Sequence, residues 1–516
     1  MSNVREHLLT VIVLQYVDAA ALVQLVPRLV EIIKGSPSIV SRAGAAHVVT
    51  VLTHHCPLDL QPFTGKLLSA FLFGLTDRNP AVRINFAGCL GQLVRTARDT
   101  SKEKLFAKLR SWYMEKDDED SQAAVAFTYQ AVNRHNPDVM KAHAASAMPV
   151  AFLATHEEAG SEVARQEVVE VWQEVWQDGT PGTEGGIRLY LTEILELLSQ
   201  AAASSKWTVK AQAARAVGTV ATKLATKIQP DTQRRLLHLL LTALEGRTWT
   251  GKEAVLKSLA DIAKSGPEIL QENIKEDTDT LVRALLKECS KEKLEYRVIA
   301  LESTGTILNE LKVDKFKEVY DITAEHLPKP GESNEDKQTP GEEEEQEASQ
   351  KLLELQHGAL VCIGLAWPES RSTADLFLVR VIDHLEIMAG NTTRRNQLAV
   401  VKCLGQILKK WKITEKEMED EELKNKCEAI FSKIAMIIST LLLIPKYAQL
   451  RTETLIILGQ AIKIMTEIRR ADIVSQFKNE TTKSLDGVIK DLGSDPNTKS
   501  TARDLKNALK NLSNDI

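Results

Sequence analysis

A residue pattern that returns about every 40 to 45 residues restricts this chain of 516 residues to a repeat fold. Each copy begins with a basic or amide residue, followed by small or apolar residues at offsets four, seven and ten and usually by Gly at offset eight. Offsets of four and seven lie on one face of a helix. We therefore predict an all-α HEAT/armadillo-type α-solenoid of roughly ten to twelve helical-hairpin repeats. The clearest copies are Arg83-Ala87-Leu90-Gly91-Leu93, Lys210-Ala214-Val217-Gly218-Val220 and Arg451-Leu455-Leu458-Gly459-Ala461.

One interval between copies is longer than the others because it contains an acidic segment, residues 329–350, with a net charge of −6 from eight acids and two lysines. The segment is rich in Pro, Gly, Ser and Asn and has too little apolar surface to fold. We predict a solenoid in two parts, residues 1–328 and 351–516, the second ending in a polar cap, with 329–350 as a disordered insertion. A docking tail for a basic partner is the alternative interpretation of this insertion. The copies begin at Arg42, Arg83, Gln122, Arg165, Lys210, Lys252, Arg297, Gln356, Gln397 and Arg451.

The glycine at offset eight predicts close contacts between helices. A glycine inside a helix costs about 1 kcal/mol relative to Ala, so its recurrence requires a reason. We expect Gly91 and Gly459 to lie where a neighbouring helix approaches. Between helices, Asn79 followed by Pro80 is typical of a helix start, with Asn79 as the N-cap.

Composition excludes several classes of protein. A net charge of −5 and a pI of about 6.2 give no general affinity for nucleic acid. The six cysteines include no CxxC pair, and Cys89, Cys362 and Cys403 lie on the repeated apolar face, so we predict small buried side chains in a reducing compartment. The apolar run 434–444 stops at Pro445 and is shorter than the ~20 residues of a membrane span. We expect a cytoplasmic protein that does not insert into membranes.

Motifs for catalysis or cofactors are weak. Gly246 to Lys252 has the spacing of a phosphate loop, but Glu253 stands where Ser or Thr would hold magnesium. The preceding residues 236–244 read as a helix, whereas a phosphate loop follows a strand. His54 and His55 have no second ligand pair nearby for a metal. We predict no enzyme activity, no cofactor and no metal.

Two groups of residues are candidates for partner binding. The first is the main basic cluster, around Trp411, although exposed helix ends commonly have this composition. The second is a glycine-rich segment after Trp172 and Trp176, for which a packed turn is an equal alternative. The candidates are Arg394, Arg395, Lys409, Lys410 and Lys412 in the first group, and Gly182, Gly185, Gly186 and Arg188 in the second.

Residues 150 to 260 resemble one family. The residues that carry the resemblance are Ala151-Phe152-Leu153 with His156-Glu157, Trp172 to Trp176, Pro181-Gly182 with Gly185 to Leu191, Lys206-Trp207 with Lys210-Ala211-Gln212, and Gly246 to Glu253, read as GRTWTGKE. They are similar to the C-terminal part of the proteasome adaptor and scaffold family, very large HEAT-repeat proteins associated with the 26S proteasome. The resemblance implies that this chain corresponds to a C-terminal piece of such a protein.

The resemblance also implies a function. We expect a non-enzymatic adaptor that binds 26S proteasome subunits and tethers proteasomes to motor or vesicle-associated proteins. It implies locations in the cytoplasm and nucleus and at endoplasmic reticulum, endosomes and centrosome. The alternative is another solenoid class, a nuclear-transport receptor or a phosphatase scaffold.

Overall fold

The fold is all-α, as predicted from the repeat. The computed structural model describes residues 17–116, 118–158, 163–273, 278–329, 342–390, 392–413, 417, 419–445, 447–491 and 493–515. These residues form α-helices and short 3₁₀ turns, and no strand occurs among them. In the same ranges, no helix is both long and apolar enough to cross a membrane.

The chain divides into two compact units. The first comprises Met1–Ile228, His238–Glu245 and Trp249–Val255, and the second comprises Gln229–Leu237, Gly246–Thr248 and Leu256–Ile516. The predicted boundaries at 328 and 351 are not tested by this division and stay a prediction.

Thirteen described helices belong to the first unit. They are α1 (Ala19–Gly35), α2 (Ile39–His55), α3 (Pro57–Leu60), α4 (Thr64–Gly74), α5 (Pro80–Leu93), α6 (Asp99–Glu115), α7 (Glu119–His135), α8 (Pro137–Ala142), α9 (Ala144–Ala154), α10 (Val163–Gly179), α11 (Thr183–Leu189), α12 (Leu191–Ala202) and α13 (Trp207–Leu224). The next two helices have residues in both units, and they are α14 (Pro230–Leu244) and α15 (Glu253–Ser265).

The remaining described helices belong to the second unit. They are α16 (Pro267–Asn273), α17 (Thr278–Cys289), α18 (Leu294–Leu311), α19 (Phe316–Thr323), α20 (Glu342–Leu365), α21 (Arg371–Gly390), α22 (Arg394–Lys410), α23 (Glu421–Leu443), α24 (Ala448–Ile468), α25 (Ala471–Lys490) and α26 (Pro496–Asp515).

Helix starts follow the sequence signals. The side chain of Asn79 accepts a hydrogen bond from the backbone of Ala81, and Pro80 occupies the first position of α5, as predicted. The side chain of Ser38 caps α2 in the same way, by accepting a hydrogen bond from the backbone of Ser41.

Within each unit, several of the helices that carry the repeat pattern stack on one another in chain order. In the first unit they are α2, α5, α7 and α10, and in the second unit they are α18, α20, α22 and α24, on which α26 packs next. A second layer of the second unit consists of α21, α23 and α25. This two-layer stacking buries the apolar face that the pattern defines, as in HEAT and armadillo repeats.

Buried cysteines belong to this stacking. Cys89, Cys362 and Cys403 are each at most 3% exposed, which confirms that they pack as small apolar side chains. Burial raises the pKa of the Cys89 and Cys403 thiols to about 12, so these thiols are inert at neutral pH.

The structure describes only part of the acidic segment 329–350. Residues 330–341 lie outside the described residues, but 342–350 form the start of α20, so the expectation of disorder was wrong there. Glu, Gln, Ala and Lys are good helix formers, and acidic residues favour the first turn of a helix. An ion pair between Glu347 and Lys351, one turn apart, adds to this preference. These turns need no buried surface of their own because they continue into a packed helix.

Candidate partner-binding surface

The basic residue at the start of the repeat is a structural residue. Arg83 is 7% exposed and donates to the carbonyl oxygen of Asp77 at 2.7 Å, while its other terminal nitrogen pairs with Asp120. Arg451 is equally buried and pairs with Asp491. Each guanidinium therefore joins its own helix to a neighbouring turn or repeat, and these side chains are not free to bind a partner.

Lys410 has a similar internal role. Its ammonium donates to the carbonyl oxygen of Trp367 at 2.6 Å and to Oδ1 of Asn309 at 3.1 Å. Burial lowers the pKa of Lys410 below its usual value. The next residue, Trp411, stacks on Phe431 with a ring separation of 5.2 Å. Lys410 and Trp411 thus hold the end of α22 in place. Partner binding by Lys410 stays a prediction, but these contacts already account for the residue.

The other four basic residues of this cluster are exposed, but they do not form one patch. Arg394 lies over the ring of Tyr447, 5.7 Å from its centroid. Arg395 and Lys409 lie on one face of α22 and line a common groove. Lys412 follows the end of the helix and lines a second groove at that end, which Lys409 and Lys410 also line.

The groove that Arg395 and Lys409 line has a volume of about 650 Å³. It lies over α20, α22 and α24 of the second unit, and we call it the α22 groove. Lys402, which is not among the predicted residues, lies between these two, and the spacing of seven residues that joins the three is visible in the sequence. The lining also includes His357, Val361 and Leu365 from α20, Leu398 from α22, and Glu453, Ile456, Ile457 and Gln460 from α24.

The glycine-rich segment is a packed turn rather than a long loop. Helix α10 continues to Gly179, and α11 begins at Thr183, which leaves three residues between them. Gly182 adopts a φ of +85°, a conformation that favours glycine. A Cβ at Gly186 would lie 2.7 Å from the ring of Trp176, so this glycine permits close packing.

The remaining residues of that segment agree with a structural role. A Cβ at Gly185 would lie 3.0 Å from Pro181, which is a tight contact. Arg188 pairs with Glu184 at 2.9 Å, and Lys227 reaches the same carboxylate at 3.0 Å. Partner binding by Gly182, Gly185, Gly186 and Arg188 remains a prediction, but their contacts already account for the residue types.

The phosphate-loop spacing corresponds to a turn between two helices. Gly246 and Gly251 have φ values of +83° and +96°, and the segment follows α14 rather than a strand. Lys252 is completely buried, whereas a lysine that binds phosphate must reach its ligand. Trp249 stacks on Trp207 with ring centroids 5.6 Å apart. The geometry gives no support to nucleotide binding at this turn.

His156 lies in a half-buried hydrogen-bonded cluster. Its Nδ1 donates to the carbonyl oxygen of Phe152 at 2.8 Å, and its Nε2 accepts from the hydroxyl of Thr219 at 2.7 Å. Burial is the main cause that lowers the pKa of His156 to about 4, and the charge of Arg215 acts in the same direction. Arg215 also donates to the backbone oxygen of His156 and pairs with Glu158. The neutral imidazole therefore joins α9 to α13 instead of performing acid–base chemistry.

Metal ligands do not converge in the described parts of the chain. No group of three His, Cys, Asp or Glu side chains there could hold a metal ion. His54 instead hydrogen-bonds Gln92 at 2.8 Å, which accounts for one of the two adjacent histidines.

The sequence matches two models of one family. Residues 5–114 match the HEAT-repeat domain of the proteasome adapter and scaffold protein ECM29. Residues 263–491 match the C-terminal ARM-like repeats of ECM29. Together the two matches cover more than half of the chain.

Individual relatives agree with these matches. The chain is 35% identical over 508 residues to the human proteasome adapter and scaffold protein ECM29, covering 97% of this chain and 27% of the relative. It is 29% identical over 418 residues to the Drosophila melanogaster proteasome-associated protein ECM29 homolog, covering 79% of this chain and 22% of the relative. The chain thus spans about a quarter of the length of these relatives.

Among solved structures, a crystal structure of importin beta is similar over 95% of this chain and 57% of that chain, with 14% identity and a TM-score of 0.49.

Proposed function

This chain belongs to the family of the proteasome adapter and scaffold protein ECM29, and we propose that it forms part of a non-enzymatic scaffold that binds the 26S proteasome. The observation that carries the proposal is the 35% identity to the human protein of that name along 97% of this chain. The continuous similarity includes both compact units, so the binding function is proposed for the repeats as a whole rather than for one short motif.

The contacts inside the chain support a scaffold without a reaction centre. Four polar side chains join helices or turns to one another, and they are those of Arg83, Arg451, Lys410 and His156. Lys252, the one lysine with phosphate-loop spacing, is buried. Stacked repeats offer extended surfaces, on which binding energy is distributed over several weak contacts and a few strong ones.

A wider form of the proposal includes tethering. In that form, the scaffold joins proteasomes to motor or vesicle-associated proteins in the cytoplasm or nucleus, or at endoplasmic reticulum, endosomes or centrosome. This part rests on the family resemblance alone.

The test is capture of proteasomes from cell extract by the tagged full chain, with and without ATP. We expect subunits of the core and regulatory particles in the bound fraction. A control variant has Glu in place of Lys317, Lys483 and Lys490, three exposed lysines that lie outside the α22 groove. This variant should capture proteasomes as well as the unaltered chain does. Recovery of nuclear-transport factors or phosphatase subunits without proteasome subunits would contradict the proposal.

Enzyme activity is tested separately. Purified chain should hydrolyse no ATP above the background of a Lys252→Ala variant, because the lysine does not reach the surface. ATP hydrolysis that the substitution abolishes would overturn the non-enzymatic part of the proposal.

A further inference from the structure

Three basic side chains form a row along the α22 groove. Arg395, Lys402 and Lys409 are seven residues apart, which places them on one face of α22 over a length of about 21 Å. All three are exposed. Among the described residues, no carboxylate forms an ion pair with any of them, in contrast to the paired arginines of the repeat pattern. The row therefore has positive charge without an ion-pair partner, although Arg395 lies near enough to Glu302 to offset part of the rise in the pKa of that carboxyl that burial causes.

The floor of the groove is apolar. Val361 and Leu365 of α20 lie on one side of α22, and Ile456 and Ile457 of α24 lie on the other. The side chain of Ile456 is 52% exposed, although most isoleucines in the described chain are buried. A partner that covers Ile456 gains hydrophobic free energy in addition to any charge attraction.

The electrostatic surroundings agree with a positive groove. His357 lies at its edge, and burial, followed by the nearby charges of Arg395 and Lys402, lowers the pKa of His357 to about 4. The imidazole is therefore neutral at physiological pH, and its 3.6 Å contact with Glu302 is not an ion pair. Glu453 is the one carboxylate among the described lining residues, so positive charge dominates.

We propose that the α22 groove binds an acidic amphipathic segment of a partner protein, with acidic side chains on Arg395, Lys402 and Lys409 and apolar side chains against Ile456 and the floor. A helix of about 14 residues matches the length of the row. Nucleic acid fits less well, because the described lining has no Phe, Tyr or Trp on which bases could stack. The inference deepens the scaffold function proposed above and rests on it, by assigning one surface and the chemistry of its partner.

The test uses the purified full chain and a fluorescent 14-residue peptide of Glu, Leu and Ala with Glu and Leu on opposite faces. Fluorescence anisotropy should show saturable binding that weakens as salt rises. A peptide with Lys in place of each Glu should not bind. The triple variant Arg395→Glu, Lys402→Glu, Lys409→Glu should bind the acidic peptide at least about tenfold more weakly.

Matched variants distinguish an effect of the groove on peptide binding from an effect of the net charge of the chain. Reversal of Lys317, Lys483 and Lys490 to Glu gives the same change in net charge and should leave the affinity unchanged. Ile456→Ser keeps the basic row and should weaken binding severalfold with little change in the salt dependence. Circular dichroism of every variant should show the helix content of the unaltered chain, since the substituted side chains are exposed.

Several outcomes would overturn the inference: equal loss of affinity in the Lys317, Lys483 and Lys490 variant, no binding of the acidic peptide, or tighter binding of a single-stranded oligothymidylate at the same residues. Proteasome capture by the groove variant is measured in parallel. If the unaltered chain captures proteasomes but does not bind the peptide, only the proposal for the groove is rejected. If it binds the peptide but does not capture proteasomes, only the proposed proteasome function is rejected.

Discussion

Gly91 of α5 faces Ala131 of α7 at a separation that leaves no room for a side chain. A Cβ placed on Gly91 would lie 2.5 Å from both the carbonyl carbon and the Cβ of Ala131. The glycine at offset eight of the repeat is therefore a point where two stacked helices approach each other, as the sequence predicted. Gly305 and Gly364 repeat this relationship against Cys362 and Cys403, with separations of 2.9 and 2.8 Å.

Substituting Gly91 should destabilise the first unit. Gly91→Ala forces α5 and α7 apart, and we expect a loss of about 1–3 kcal/mol in the free energy of unfolding. The control is Gly88→Ala on the same helix, where an added Cβ would have no neighbour within 4 Å and should be neutral or stabilising by up to about 1 kcal/mol. Chemical denaturation followed by circular dichroism measures both. Equal stabilities of the two variants would contradict the close approach.

The His156 cluster predicts a decrease in stability at mildly acidic pH. The unfolded imidazole has a pKa near 6.5 and the folded one a pKa of about 4, so the unfolded state binds more protons between these values. The stability that His156 contributes is complete above pH 6.5 and is lost as the pH falls toward 4. This amounts to about 2 kcal/mol between pH 7 and pH 5.

The measurement is the free energy of unfolding at several pH values for three proteins. His156→Gln retains a donor and an acceptor but does not titrate, so its stability should vary less with pH than that of the unaltered chain. His135→Gln, at an exposed position, should keep the original pH dependence. If His156→Gln has the original dependence too, the imidazole is not the group that titrates.

The repeat pattern predicted the helices, their stacking and the buried cysteines because all three follow from the periodic burial of one helix face. Gly459 shows where that reasoning ends, since a Cβ there would meet only Leu505, at an ordinary 3.6 Å. A Cβ on Gly405 would likewise meet its nearest neighbour, Ile457, at an ordinary 3.5 Å, so the glycine pattern alone does not determine how closely two stacked helices approach.

The candidate site was less predictable. Basic residues that are close together in sequence lie on different faces of α22 or beyond its end, because successive residues of a helix point in different directions. Lys409 and Lys410 are adjacent, yet one lines a groove and the other donates to a backbone oxygen of a different helical hairpin. The exposure of Ile456 depends on which helix follows it in the stack, which the local sequence does not specify.

Exchange of residues 330–341 should leave stability unchanged. The flanking contacts lie outside this range, including the 2.8 Å hydrogen bond from Nδ1 of His384 to the carbonyl oxygen of Pro328. A Gly/Ser segment of equal length keeps the length of the connection, so the entropy of loop closure changes little. We expect the Tm to stay within about 2 °C by differential scanning calorimetry. A marked decrease would show that these twelve residues stabilise the repeats.

The same substitution should lower the stability of the fold at Lys410 but hardly change it at Lys409. Lys410→Met leaves the carbonyl oxygen of Trp367 and Oδ1 of Asn309 without their donor, and we expect a loss of about 1–3 kcal/mol in the free energy of unfolding. Lys409→Met removes an exposed charge and should change stability by less than about 0.5 kcal/mol.

Affinity for the acidic peptide should depend on Lys409 rather than on Lys410. Lys409→Met should weaken capture of the acidic peptide, since Lys409 lines the α22 groove, while Lys410→Met should retain the affinity at temperatures where it is folded. Denaturation and anisotropy on the same two proteins measure both quantities. A stable Lys410→Met variant would show that its hydrogen bonds do not hold the end of α22. Unchanged affinity in Lys409→Met would remove that lysine from the binding row, because the two variants carry the same loss of charge one residue apart.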